Sequence, residues 1–431
     1  MTKFQIIILS IFAVFLVGGV VAFATFKGKD STSSYSPIVI WGTFPAEQFD
    51  TYTSKVNNTL AQRIQVTYVQ KKVDEFSRDF IAALARGMGP DVILVPADTL
   101  LAHQDKLALI PYTALPQRDF LNTYIGEANI YLSSGGSLGI PFTVDPLMMY
   151  WNRDTFDAAG IATYPRYWDE FAALNKKLTI KDQNGNVRKS ALALGEFSNV
   201  TNAREIFATL LLQTDNPITA IDSQGMIYST LKNTADVSPA DALSFFTQFV
   251  DPADPMYSWN KSLPESKTAF LSGTLATYFG FASELSDLRT KNPNINFDAA
   301  LLPQREKSTV APVTYGKMYG FSIVRTAPDL DSAYQIISIL TSPSYLADFS
   351  NSLYLPSVRR DVIAQGSVDP YITIFNQAAL ISKTWLDVDP VQSRSIFRSM
   401  VESYTSGQKR LDEALRDAGD QYDIVLEQAL K

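Results

Sequence analysis

The stretch Pro146 to Asn152, Pro-Leu-Met-Met-Tyr-Trp-Asn, limits what this chain can fold into more than any other. Gly139 and Pro141 open it as a turn, and a short helix stopped at Gly160 follows it, so the apolar run reads as a strand buried on both faces. Strands of that kind belong inside α/β sheets covered by helices. Asp145 stands at the mouth of the strand, where a carboxylate is solvated, caps a neighbouring element or faces a cleft.

The chain upstream has the matching rhythm. Ile38 to Trp41 reads as a strand, and Pro45 opens a helix with apolar positions at Phe49, Tyr52, Val56 and Leu60. Ile64 to Val69 reads as a second strand, a helix runs through Val73, Phe76, Phe80 and Leu84, and Val92 to Val95 reads as a third strand. Strand, helix, strand, helix, strand implies parallel pairing with right-handed crossovers. Ligands of such sheets sit beyond the carboxyl ends of strands, which points at Gly42 to Phe44 and at Pro96 to Thr99.

Composition removes several functions. With 431 residues, 46% hydrophobic, the chain has room for two full cores. Its net charge of -7, without a long basic run, argues against nucleic acid as a partner. There is no cysteine and one histidine, His103, so neither a thiolate metal site nor a Ser-His triad is expected, and His103 reads as a surface residue. Asp182 to Asn186 reads as a hairpin turn on Asn184-Gly185 and lacks the spacing and terminal Glu of a calcium loop. No cofactor or metal is expected.

Phe4 to Phe26 carries no charge and as a helix would be about 34 Å long, enough to cross a bilayer. It is either a retained anchor or a secretory signal cut after Ala24 in an A-x-A pattern. Asp30 to Pro37 is a polar linker that begins the soluble part.

The residues from Gly139 onward also carry a family likeness. Gly139-Ile140-Pro141, the acidic Asp145, the apolar run, Tyr150-Trp151-Asn152, Asp154, Phe156, Ala159-Gly160, Pro165 and Tyr167-Trp168-Asp169-Glu170-Phe171 resemble the extracellular solute-binding proteins of ABC importers. Within them the likeness is to the branch that binds maltose and other oligosaccharides. The resemblance implies an α/β, two-lobed fold of the periplasmic-binding-protein kind (type II), each lobe a mainly parallel sheet flanked by helices, preceded by the N-terminal membrane helix. It also implies three crossings between the lobes: this segment, Leu301-Leu302-Pro303, and Tyr354-Leu355-Pro356. The expected division is a membrane segment at 1–29, a linker at 30–36, a first lobe from 37–143 and 303–353, and a second lobe from 144–302 and 354–431.

Candidate ligand residues follow from the resemblance, each beside a plainer alternative. Asp98, in Gly89 to Asp98, stands where the family contacts ligand hydroxyls, or it caps the helix Thr99 to Leu107. Glu196 and Phe197 stand where the family places a carboxylate and an aromatic at its sugar, or Glu196 is solvated beside a cap. Phe281 takes the place of a ligand-contacting aromatic, without the tryptophan. Trp385 stands where relatives put a ring against the ligand, or it packs in the core. Asp145, Phe44 and Tyr315 complete the set.

The function so implied is capture of a sugar or oligosaccharide by hinge closure, outside the cytoplasmic membrane, with a membrane permease and an ATPase subunit as partners. This chain has no G-x-x-x-x-G-K-[ST] loop of its own. Two rivals use the same residues: a membrane-tethered sensor or adaptor, and a glycosidase in which two of Asp98, Asp145 and Glu196 form a carboxylate pair.

Overall fold

A computed structural model describes residues 37–59, 65–233, 239–306 and 310–429. The expected membrane segment and the linker at 30–36 lie outside the described residues. Among those described, no helix is long and apolar enough to cross a membrane.

Eight strands form the main sheet: β1 (Ile38–Gly42), β2 (Val66–Gln70), β3 (Val92–Pro96), β4 (Ile140–Asn152), β5 (Thr277–Phe281), β6 (Phe297–Ala300), β7 (Thr314–Ile323) and β8 (Ser382–Lys383). The order is β5-β4-β7-β3-β1-β2, with β6 on β4 and β8 on β7. β1 pairs in parallel with β2 and with β3, as strand-helix-strand alternation requires. The rest of the sheet corrects the expectation of two mainly parallel lobes. β7 is antiparallel to both β3 and β4, and β5 and β6 are antiparallel to β4. The alternation rule applies to consecutive strands joined by one crossover. Here several helices separate β4 from β5, and β5 runs back so that Phe281 ends beside Leu147.

β4 is longer than the apolar run that announced it: all 13 residues are buried, and Asp145 lies within the strand rather than at its mouth. The strand is long because it serves two cores. Ile140, Phe142 and Val144 pack in one cluster with β1 to β3, and Leu147 to Trp151 pack in the other. β7 changes core in the opposite direction, with Tyr315 in the second cluster and Met318, Phe321 and Ile323 in the first. A third segment runs alongside: Val144 N–H donates to the Pro356 carbonyl, as does the Thr143 hydroxyl at 2.8 Å.

The change of core therefore falls later than Leu301-Leu302-Pro303. Leu302 stays in the second cluster, held there because Gln304 exchanges backbone hydrogen bonds with Arg166 and Trp168 and Gln213 donates to the Pro303 carbonyl. The apolar-Pro signature marks a turn within that cluster, and the passage itself is β7. Likewise Val358 packs in the first cluster and Phe375 in the second, so the chain from Val358 does not lie wholly on the second core.

Two local readings also compare with the structure. The hairpin turn at Asn184-Gly185 forms between Ile180–Lys181 and Val187–Lys189, with Gly185 at φ 79°. His103 is not a surface residue: it is buried, its Nε2 lies 3.0 Å from Ser77 Oγ, and its ring packs edge-on against Phe80. The helix expected over Thr99 to Leu107 ends at Ala102 and turns the imidazole inward.

Candidate functional site

The site forms on β7, where period two puts Tyr315, Lys317 and Tyr319 on one face. Lys317 lies directly opposite Asp145 of β4 in the antiparallel register, so these side chains share that face. At one end Tyr319 packs 4.6 Å from Phe44, which follows β1. At the other, Tyr315 packs 6.1 Å from Phe281, at the end of β5, and 5.4 Å from Trp385. Tyr315 is further tied to the second core by its N–H, which donates to Thr209 Oγ1 at 3.2 Å. A row of aromatic rings with one lysine thus runs from one core to the other.

Carboxylates flank the row. Asp98 is buried in the first turn of the helix Ala97–Ala102, with Pro96 rather than Asp98 in the N-cap position. Among the described residues its carboxylate accepts from the adjacent Thr99 alone, through N–H at 2.6 Å and hydroxyl at 3.3 Å. Burial raises its pKa, opposed by the charges of Lys317 and Arg204. Asp145 is also buried and accepts from Ser283 N–H at 3.0 Å. Burial lifts it to about 6, against the pull of Ser283 and then Lys317. Both are hydrogen-bond acceptors with unused capacity, since an ionised carboxylate has about four lone-pair positions.

Trp385 and Glu196 sit differently. Trp385 is buried; its indole N–H donates to Tyr422 Oη at 2.9 Å, and the Arg204 guanidinium covers the ring at 4.5 Å. Arg204 bonds Ser393 Oγ at 2.8 Å and Glu205 at 2.9 Å, and contacts Asp387, which also accepts from Tyr422. Packing accounts for these surroundings, with Tyr315 standing between Trp385 and the row. Glu196 is buried near Lys261, whose Nζ lies 3.9 Å away, and its pKa is raised by burial, offset by Lys261. Phe197 meets Phe246 edge-on at 5.9 Å. The charges acting on Glu196 are Lys261 and Glu402, whereas Asp145 feels Ser283, Lys317 and Glu284. Of the eight expected residues, Phe44, Asp98, Asp145, Phe281, Tyr315 and Trp385 are linked through β7, and Glu196 and Phe197 form a separate group.

Lys317, Tyr319, Arg204 and Ser283 were not foreseen. The alternation Tyr315-x-Lys317-x-Tyr319 is the strand signal in the sequence that marks the first two.

This arrangement, two cores joined by shared strands with acceptors and rings at the junction, defines a two-lobed binding protein. A family model for bacterial extracellular solute-binding proteins matches residues 47–374, and the chain belongs to that family. Family membership places its work outside the cytoplasm and makes it capture of a solute rather than chemistry upon one.

Among solved structures, the chain is similar to a cyclic alpha-maltosyl-1,6-maltose binding protein from Arthrobacter globiformis, with TM-score 0.74 and 16% identity, over 91% of this chain and 100% of that one. It is also similar to a cyclo/maltodextrin-binding protein complexed with maltotetraose, with TM-score 0.72 and 15% identity, over 91% and 98%. A third is the Thermus thermophilus maltotriose binding protein, with TM-score 0.66 and 16% identity, over 90% and 100%. Among curated proteins, none matches the chain.

Proposed function

We propose that this protein is the solute-capturing component of an ABC importer for a sugar or oligosaccharide. The observation that supports it best is the β7 face, where Tyr315, Lys317 and Tyr319 lie between Asp98 and Asp145 at the junction of the two cores. Sugars present hydroxyl donors around an apolar C–H surface, which fits carboxylate acceptors beside aromatic rings. Three hydrogen bonds to charged groups at roughly 1.5–3 kcal/mol each, with ring burial, supply a micromolar affinity of about -8 kcal/mol after association costs. The solved structures of similar fold include proteins whose ligands are maltodextrins and mannotriose, which supports the sugar class.

In this reading the first lobe gathers Ile38 to Val144 and Met318 to Val358, the second gathers Leu147 to Tyr315 and Phe375 to Leu426, and the passages between them lie in β4, β7 and the chain after Val358. The ligand draws them together only through a higher affinity for the closed form. Residues 4–26 tether the protein to the outer face of the cytoplasmic membrane, and the closed form docks on a permease driven by its ATPase subunit.

Calorimetric titration of the full-length chain with maltotriose, mannotriose and tagatose tests the sugar assignment. A saturable heat with one of them, reduced at least tenfold in affinity by Asp98→Asn or Tyr315→Ala, is the expected result. Heat with none of them, but with an amino acid or polyamine, would defeat it.

A further inference from the structure

Lys317 stands at the step where β7 passes between the cores, one residue from Met318 in the first cluster and two from Tyr315 in the second. Among the described residues its ammonium makes no ion pair within 4.0 Å. The residue is half-buried on the same face as Tyr315 and Tyr319, and its Nζ lies 5.8 Å from the Tyr319 ring centroid. Its charge is felt from both sides of the junction: by Asp98 after β3, by Glu205 in the helix Ala203–Gln213 and by Asp145 across the register.

The other cation nearby is already committed. Arg204 is buried and bonded to Glu205, Asp387 and Ser393, with its guanidinium stacked on Trp385. Among the described residues Lys317 is therefore the cationic donor of this cluster without a close ion pair, beside the hydroxyls of Tyr315 and Tyr319, and it faces two carboxylates, Asp98 and Asp145, that accept. A centre with one ammonium and two carboxylates has no surplus positive charge for an anion, and a like charge brought to Asp98 and Asp145 is repelled at short range. A hydroxyl suits it, since the oxygen accepts from the lysine while the proton goes to a carboxylate.

Resting on the sugar reading of this junction, we propose that Lys317 is a specificity-determining contact, donating to hydroxyl oxygens of a neutral polyhydroxylated ligand held between Asp98 and Asp145, and that the site rejects acidic sugars.

The test uses the full-length chain, wild type and the variants Lys317→Met and Lys317→Arg. Affinity is measured for maltotriose and mannotriose and for the anionic trimer trigalacturonate, and melting temperature is measured without ligand. Wild type binds a neutral trimer at least tenfold more tightly than trigalacturonate. Lys317→Met weakens that neutral ligand about 10- to 100-fold, the loss of one charge-assisted hydrogen bond, and Lys317→Arg weakens it less. The ligand-free melting temperature of Lys317→Met stays within about 2 °C of wild type, because no close ion pair is removed.

A fall in that temperature with affinity unchanged would make Lys317 a structural counter-ion and overturn the proposal. Tighter binding of trigalacturonate than of the neutral trimers by wild type would overturn its charge argument. If wild type binds no sugar at all, the sugar reading fails and takes this assignment with it, a result distinct from a variant that binds as well as wild type.

Discussion

Asp145 carries two opposite pH dependences. Its carboxyl is raised to about 6 by burial, so the folded state holds the proton more firmly than the unfolded chain. The stabilisation this gives is complete below about pH 4 and is lost as pH rises through 6. Asp145→Asn is expected to raise the ligand-free melting temperature by a few degrees at pH 7.5 and to give no gain at pH 4. Binding runs the other way, because the ionised carboxylate is the stronger acceptor. Wild-type affinity is expected to fall between pH 7 and 5, and Asp145→Asn to be weak and flat across that range, which titration calorimetry at several pH values will read.

Glu127 is a second buried carboxyl with the same sign. Among the described residues neither of its oxygens has a hydrogen-bond partner, and burial pushes its pKa well up. Glu127→Gln, which removes the charge and keeps the shape, is expected to stabilise the protein by about 1–3 kcal/mol at pH 7.5 in urea unfolding. The gain should vanish below about pH 4. Arg204 is the opposite case: Arg204→Met leaves Asp387 buried without its cation and Glu205 with Arg394 alone among the described residues, at a cost of about 3–5 kcal/mol.

At the scale of elements, β7 does what the sequence suggested least. Tyr315 to Val324 reads as a Gly-bearing turn entering a strand, yet it is one strand from Thr314 to Ile323. Gly316 is there for space. A Cβ at that position would meet Glu127 Oε2, Ser382 Cβ and Ser382 Oγ, each at 2.7 Å. Gly316→Ala is expected to cost about 1–3 kcal/mol of stability, and Ser382→Gly in the same chain to recover part of it. No recovery would place the strain elsewhere.

The parallel strands β1 to β3 were legible because short apolar runs alternated with helical spacing. The second passage between cores was not, because an apolar-Pro signature marks a turn without saying which core receives it, as Leu301 to Pro303 shows. Asp98 was marked by the carboxyl end of β3 and by the family likeness, and Asp145 by the likeness alone, since it lies inside β4 and not at its mouth. Lys317 was hidden because its role depends on a register across β4 that no local pattern reveals. His103 was misread for a related reason: one polar residue in a short helix gives no period from which to tell its face.

Across the whole molecule, the proposed capture of a solute works by closure of the two lobes. Strands β4 and β7 pass through both cores around Asp145 and Lys317, where the proposed ligand also binds. A ligand held by Asp98 from the first core and by Tyr315 from the second gains its full contacts only when the lobes approach. The absence of cysteine makes this directly measurable, since two introduced thiols are the only ones in the chain.

The measurement that bears most directly on it is the distance between spin labels in M88C/M226C, at two exposed positions beside different cores. Pulsed electron-spin measurements are made with and without a saturating neutral oligosaccharide that the protein has been shown to bind. The account predicts a broad distance distribution that narrows and moves to a new value when the sugar is added, and that does so far less in Tyr315→Ala at the same concentration. A distribution unchanged at saturation would contradict closure and leave a rigid binding surface in its place.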